Sequence, residues 1–577
     1  MATIQSKITN GHKYWYIVES RRVNGKPRPI VLEYLGKADD LLKRLQGLRD
    51  SLKLKSYSHG LVAKLLQVAS ELDICNVLNG FVHSSEEYTA EKPIRNNMTA
   101  SASLMLAAIG GACVVTSKNG WAQWARTTSL EYLLRTNFSK VDSQHFWDAM
   151  DAFPAEAIES AERQLLENTL HHYNIKMDSL FYDTTNFYTY INTTNSKCHI
   201  AKRGKNKQKR MDLRQIGLAL VVTKDDMIPL FHHSYEGNMN DAKVFRKVIE
   251  KIKNRLEAIG ADTKSHTIVF DRGNNSKKNI ELVESLGMKY VGTLTPFHHK
   301  SLVEEASTRL EETEVNGKTI MAYRTFKNIW GRDMTVVVTI SDKLKEGQIR
   351  GIHTLLASCD AAIGKINRML SNPNSKKRSR EELERLVSAV ISRYKMQTLI
   401  EYKILEDNER CYGIDYTIKY ECLAKLEEEM GYRILMTNNH NWSTCEIIQA
   451  YHGQTIIEYT FKNMKNKRHL SFTPQYHWTD QKIKVHNFCC VIAYLMTSLI
   501  YKTAREKGFT GSMDTLLDML GNIRLGTIIE DTGKKGRPKV FYKLEEMEPA
   551  ERKLAEDLGI IKLHERPMKI KGFGVYI

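Results

Sequence analysis

The chain has 577 residues, with 85 Lys and Arg against 67 Asp and Glu and a net charge of +18. At 26% charged and 42% hydrophobic residues it is not a disordered sequence, and its length asks for roughly three to four hydrophobic cores, not one. A positive surplus of this size suits a polyanionic partner such as nucleic acid, although a basic protein without such a partner has the same composition.

Nine cysteines are scattered without a CxxC pair or metal-ligand spacing, and Cys489 and Cys490 sit together in an apolar run. That pattern fits a reducing cytosol and offers no zinc site. The segment from Met1 to Lys13 lacks the apolar run of a secretory signal. Asn96 to Ser117 carries no charge and is long enough to span a bilayer. It is rich in Asn, Ser, Thr and Gly and contains Gly110-Gly111, so a buried helix is expected, with no membrane partner.

Lys13 to Tyr34 alternates apolar and polar residues around Asn24-Gly25, which predicts a β-hairpin within an N-terminal region, 1–56. Residues 57–173 turn helical: Leu61, Leu65, Val68 and Leu72 recur at helical spacing, as do Ile158, Ala161, Leu165 and Leu166. Such stripes serve a DNA-binding helical domain or only that domain's own core. From Asp178 to Thr295 the pattern alternates. "DSLFYDTTNFYTY", "RQIGLALVVT" and "MIPLFHHSY" read as strands. Asp241 to Ile259 reads as a helix with Val244, Val248, Ile252 and Leu256 on one stripe. "HTIVFD", a helix from Ser276 and "KYVGTL" complete a mixed α/β sheet, 174–296. The β-rich and charged stretch 297–432 reads as an insertion domain, including "TVVVTI" and the helical segment Lys376 to Lys395. The core resumes over 433–505, and 506–577 forms a small C-terminal domain.

Asp183 lies in the first of these strands, on one face with Phe181 and Thr185. A carboxylate in an aromatic strand is costly unless something pairs with it. Asp271 ends the buried run Ile268-Val269-Phe270, where ligands of open α/β sheets bind. Taken alone, Asp183 is better explained by a local basic partner and Asp271 by the turn that Gly273 suggests. In "YHGQTIIEYTFKNMK", Tyr451, Gln454, Glu458, Lys462 and Lys465 fall within an arc of about 80° on a single helix. Ala450, Ile457, Phe461 and Met464 form the apolar stripe beside it. A salt-bridged surface helix, Glu458 with Lys462, has the same spacing. Three acids on separate elements of one sheet would meet the demand of phosphodiester cleavage for hard-oxygen ligands to divalent metal.

The succession "FYDTTNFY", "EGNMNDAKVF", "VFDRGNNS", "MTNNH" and Y-x2-Q-x3-E-x6-K resembles bacterial insertion-sequence DDE transposases. More narrowly, it resembles the group with a Y-x2-R-x3-E-x6-K signature on the helix of the catalytic Glu. The resemblance covers about Asp178 to Thr295 and Tyr432 to Tyr501. It implies a ribonuclease-H-like catalytic core interrupted by a β-rich insertion, which suits the 187 residues between Asp271 and Glu458 against 88 between Asp183 and Asp271. It implies Asp183, Asp271 and Glu458 as the catalytic, metal-binding triad, with two Mg²⁺ ions that Mn²⁺ can replace. Tyr451 and Lys465 match positions that contact the DNA backbone at the element's ends. Gln454 replaces the family's Arg and loses its bidentate phosphate grip, for which Lys462 can supply charge. Gly237, Asn238 and Asp241 match a further motif that shapes the core near the site.

The implied activity is that of a DDE transposase. It would bind the terminal inverted repeats of its element, cut the DNA with metal-activated water and join the 3′-OH ends to target DNA. Double-stranded DNA, both ends and target, is the implied partner, with a homodimer in the synaptic complex and a cytoplasmic, nucleoid-associated location. A nuclease without strand transfer and a silent transposase-derived DNA-binding protein are the alternatives. The loop Lys202 to Arg214, with seven basic residues, reads equally as a phosphate track or a solvated loop. "GKKGRP" at 533–538 reads as a minor-groove turn or a plain one. Trp330, Trp442 and Trp478 could stack on an extruded base but read more simply as core or surface side chains. His232-His233 and His298-His299 read as strand and loop residues, not metal ligands.

Overall fold

The computed structural model describes all residues except 1, 24–25, 41, 43–51, 83–97, 205–209, 263–265, 373–377, 407–410, 531–538 and 575–577. The Asn24-Gly25 turn and the "GKKGRP" segment lie outside the described residues, as does part of the basic loop. The chain divides into two compact units, 1–172 with 463–477 and 481–577, and 173–462 with 478–480.

The first unit opens with three antiparallel strands, Ala2–Thr9, His12–Val23 and Lys26–Gly36. The expected hairpin is therefore the second half of a larger sheet. Its first turn is Asn10-Gly11, both at positive φ, 49° and 75°. Asn-Gly is the pair that a two-residue hairpin turn demands, and it identifies the strand that the hairpin reading of Lys13 to Tyr34 leaves out. Helices follow from Gly60 to His172. Ala100–Cys113 is buried almost all round and capped by the Thr99 side chain. Gly110 is required there, because a Cβ would lie 2.3 Å from Trp121 Nε1. The long apolar helix Asp480–Glu506 is likewise buried along most of its length.

The last residues do not form a separate C-terminal domain. Arg524–Glu530 pairs with Leu52–Ser58 on one side and Lys539–Leu544 on the other. Backbone pairing between two distant segments fixes them in one body, which a reading by sequence position misses. The expected core segment 433–505 is divided as well, since 463–477 and 481–505 pack with the first unit.

The second unit is a mixed α/β body built on a nine-stranded sheet. In chain order its strands are β1 (Ser179–Thr189), β2 (Arg214–Thr223), β3 (Pro229–Glu236), β4 (Thr267–Phe270), β5 (Lys289–Leu294), β6 (Glu311–Val315), β7 (Lys318–Ile329), β8 (Arg332–Ile340) and β9 (Tyr432–Thr437). Their spatial order is β6-β7-β8-β9-β5-β4-β1-β2-β3. Only β1–β4 and β4–β5 are parallel. The helices that matter here are α1 (Asp241–Ala258), α2 (Lys277–Ser285), α3 (Thr444–His452) and α4 (Gln454–Met464). The strand and helix succession from β1 to β5 is the one the periodicity predicts, and Val244, Val248, Ile252 and Leu256 of α1 are all buried.

The insertion is where expectation and structure part. Strands β6 to β8 extend the central sheet and belong to no separate β-rich domain, because β8 pairs with β9 and β9 with β5. "TVVVTI" is a continuous apolar run since it is a covered inner strand. Among the described residues of the insertion, those of 342–428 build a core of their own. There two helices, Asp342–Leu370 and Arg380–Arg393, pack on the hairpin Ile400–Glu406 and Cys411–Ile418 around Cys359, Ile363, Leu383 and Val387.

Candidate catalytic end of the sheet

The parallel register of β1 and β4 ends at Tyr182 opposite Phe270. Both rings pack on Phe245 of α1, with centroids at 4.9 and 4.8 Å. Asp183 and Asp271 are the next residues on their two strands. Their backbones therefore stand side by side, about 4.8 Å apart across the ladder. Beyond this point β4 has ended and β1 continues with β2 alone. Burial changes accordingly, from four fully buried residues, Ser179 to Tyr182, to a half-exposed Asp183. Asp271 is exposed and its Oδ1 accepts the Arg272 amide at 2.6 Å, which starts the short turn Arg272–Asn274. The turn reading of Asp271 therefore holds, and it leaves the second carboxylate oxygen outside that hydrogen bond.

Glu458 comes from α4. Side chains alternate along β1, so Phe181 shares a face with Asp183, opposite Tyr182. Gly453, which joins α3 to α4, rests on that face: a Cβ there would lie 2.2 Å from Phe181 Cζ. Helix α4 therefore starts on the Asp183 side of the sheet, and the exposed Glu458 follows about 7.5 Å along its axis. The helix expected to carry all five polar residues is in fact two. Ser443 and Glu446 form a capping box that starts α3, which carries Tyr451. The chain turns at Gly453, and α4 carries Gln454, Glu458 and Lys462. Thr455 Oγ1 donates to the His452 carbonyl at 3.0 Å across the joint. Lys465 lies just past the end of α4 and falls in the first unit. The stripe Ala450, Ile457, Phe461 and Met464 is buried as its spacing predicts.

Tyr451 is half-buried beneath Arg433, whose guanidinium carbon stands 5.1 Å from the ring centroid. Burial raises the Tyr451 phenol above its ordinary value. Arg433 opposes the rise, the charge of Asp271 adds to it, and Thr293 and Arg272 oppose it in turn. Tyr451 thus lies within electrostatic reach of Asp271. Burial also raises Tyr182 and Tyr235, and the charges of Asp183 and Asp241 push both further in the same direction. Asp241, first residue of α1, is therefore a further acid at this end of the sheet. Its Oδ2 would lie 3.9 Å from a Cβ on Gly273. The sequence placed Asp241 in a motif but gave no sign of its reach, and Arg433 over Tyr451 carried no signal at all.

Among the described residues, no three His, Cys, Asp or Glu side chains are gathered at metal-holding distance. Carboxylates without a cation repel one another. The donor chemistry is nonetheless right for a hard divalent ion: oxygen ligands, an adjacent aspartate pair and room for water. Trp330 occupies a tight turn at φ 55° before Gly331, the Trp442 carbonyl accepts from Arg324, and the Trp478 carbonyl accepts from Asn195.

Residues 180–496 match the transposase DDE domain, and residues 1–58 match the N-terminal domain of IS1634 family transposases. A cryo-electron-microscopy structure of a piggyBac transposase synaptic complex with hairpin DNA is similar to the chain at 8% identity and a TM-score of 0.37, over 79% of each chain. No curated protein matches it. The DDE match spans more than half of the sequence, and on that ground the chain belongs to the DDE transposases, DNA-cleaving and DNA-joining enzymes, and bears the N-terminal domain of the IS1634 family.

Proposed function

We propose that this transposase cuts and joins DNA with Asp183, Asp271 and Glu458 as its catalytic carboxylates, on a ribonuclease-H-like core. The observation that carries the reading is the adjacency of the two aspartates at the end of a parallel strand pair. The strand order β3-β2-β1-β4-β5, antiparallel up to β1 and parallel beyond it, supports the core assignment.

Two divalent ions, Mg²⁺ or Mn²⁺, held by these carboxylates would activate the attacking oxygen and stabilise the leaving one. Asp183 would supply a ligand from within β1 and Asp271 one from just past the end of β4. Glu458 supplies one from a helix seated on the same face. In the first step water attacks the phosphorus at the element's end, the bond to the 3′ oxygen breaks, and that oxygen leaves as the 3′-OH. In the second step the 3′-OH attacks a target phosphodiester in line, a new P–O bond forms, and the displaced target 3′ oxygen departs. Tyr451, Lys462 and Lys465 steady the end's backbone, while Gln454 contributes no bidentate phosphate contact. Two ends are paired by a homodimer.

The test is a cleavage and strand-transfer assay on labelled end DNA with Mg²⁺ or Mn²⁺. D183N, D271N and E458Q should each bind the ends and neither cut nor join. Activity surviving any one substitution removes that residue from the site. Cutting without joining under every condition would favour a nuclease over a strand-transferase.

A further inference from the structure

The basic connection between β1 and β2 is the feature left over from the site. Of its described residues, 190–204 and 210–213, the first stretch is pinned at three points. Asp480 Oδ1 accepts the amides of His199 and Ile200 at 2.7 and 3.0 Å. Lys202 and Gln215 exchange two backbone hydrogen bonds, 3.0 and 2.8 Å. The Gly237 amide donates to the Ile200 carbonyl at 3.1 Å, and Gln215 Nε2 donates to the Gly237 carbonyl at 2.7 Å.

Two glycines permit this docking by their lack of a side chain. A Cβ on Gly237 would lie 1.9 Å from the Gln215 carbonyl oxygen. A Cβ on Gly204 would lie 2.7 Å from Gln215 Nε2 and 2.8 Å from the Gly237 carbonyl oxygen. The Gly237-Asn238 motif therefore has a concrete task, which is to seat the basic segment against the sheet.

The seated segment borders a cavity of about 470 Å³. Lys202, Arg203, Arg214 and His199 line it, with Ser196 and Thr193 beside them and, among the described residues, no carboxylate. Arg214 is held in place by donating to the Asn195 and Thr193 carbonyls at 3.2 and 2.7 Å. Among the described residues, two acids lie close by: Asp480 accepts the two backbone amides, and Asp212, within electrostatic reach of Arg203, is paired with Arg210. Cations and hydroxyls around an open cavity whose lining holds no carboxylate are the chemistry of a phosphodiester site.

We propose that this cavity grips one backbone phosphate of the DNA, away from the catalytic carboxylates. The inference rests on the reading of Asp183 as catalytic. From Asp183 to Thr189 the strand runs six residues, about 20 Å. Arg214 of the cavity pairs with Thr189 at the far end of that strand, so the gripped phosphate lies several nucleotides from the cut.

The test uses the full chain, duplex end DNA and the double variant K202Q/R203Q. Binding is measured without metal over a range of salt. Losing one phosphate contact lowers the slope of log affinity against log salt by about 0.9 and weakens binding about tenfold. K202R/R203K should restore both. A scan of single neutral methylphosphonates should find one position, several nucleotides from the cut, that weakens wild-type binding and not that of the double variant. Unchanged affinity and slope in K202Q/R203Q would overturn the inference, as would a weakened variant with the wild-type methylphosphonate profile. If wild type cuts the ends but D183N does also, the catalytic reading fails instead, and the salt slope still reports on the cavity.

Discussion

Gly453 lies against the ring of Phe181, and no side chain fits between them. A methyl group there would approach Phe181 Cζ to 2.2 Å and the Ala450 carbonyl to 3.1 Å. The backbone conformation is ordinary, φ −62°, so space and not torsion demands glycine. This contact sets how α4 meets the sheet. G453A should destabilise the protein by about 1–3 kcal/mol and depress cleavage, because Glu458 moves with the helix. Adding F181A to G453A should recover part of the cleavage rate. Wild-type unfolding and cleavage in G453A alone would show that the joint does not position Glu458.

Gly237 is tighter still, since the obstacle is the backbone oxygen of Gln215. G237A should release the segment around Lys202 and Arg203. Limited digestion with trypsin reads this directly: cleavage after Lys202 or Arg203 should be much faster in G237A than in wild type. Equal rates would mean that the segment is not held by this contact.

Three histidines of the first unit are buried in neutral form. Burial lowers His59 to about 4 and His486 to about 3, and holds His477 well below its usual value, with the charges of His486, Lys118 and Lys482 adding to the effect. In the unfolded chain the same groups take up protons near pH 6.5. Their contribution is therefore fully present above pH 6.5 and is lost as pH falls from there toward 3–4, at on the order of 1 kcal/mol per pH unit for each group. The urea midpoint should fall between pH 7 and pH 5, and H486L should show a smaller fall. A midpoint independent of pH in wild type would refute this.

Tyr451 tests the difference between packing and contact. Y451F keeps the ring under Arg433 and should change stability by less than about 1 kcal/mol while weakening end binding several-fold in anisotropy titrations. Y451A removes the ring and should cost about 2–4 kcal/mol. If Y451F binds the ends as wild type does, the phenol does not touch DNA.

Residues 342–428 have their own core, in which Ile363 is fully buried. I363A should cost about 2–5 kcal/mol locally. Hydrogen exchange should show protection lost across 342–428 and kept in β1 and β4. Loss throughout the sheet would mean that this core and the sheet unfold as one.

Much of the second unit was legible in the sequence because its elements advertise themselves locally. The strand and helix succession from Asp178 to Thr295 follows from periodicity and turn residues, and α1 ends within one residue of the expected position. Asp183 and Asp271 stood out as carboxylates in apolar strands, a pattern that is costly to keep without a reason. The Asn10-Gly11 turn is as local a signal, but the hairpin reading of Lys13 to Tyr34 passes it over.

What sequence order could not decide was which distant segments pair. Strands β6 to β8 join the central sheet only because β9, some hundred residues later, lies between β8 and β5. The strand at 52–58 finds its partner at 524–530. Hydrogen bonding between strands leaves no mark of the partner in either sequence, since any two extended edges can pair. The break at Gly453 is of the same kind: spacing alone describes one continuous helix from Tyr451 to Lys465, and only the ring of Phe181 beneath it gives the glycine a reason. Residue chemistry and period were written in the chain. Adjacency, and with it the meeting of Asp183 with Asp271 and of the basic segment with Gly237, was decided by the packing of segments that the sequence keeps apart.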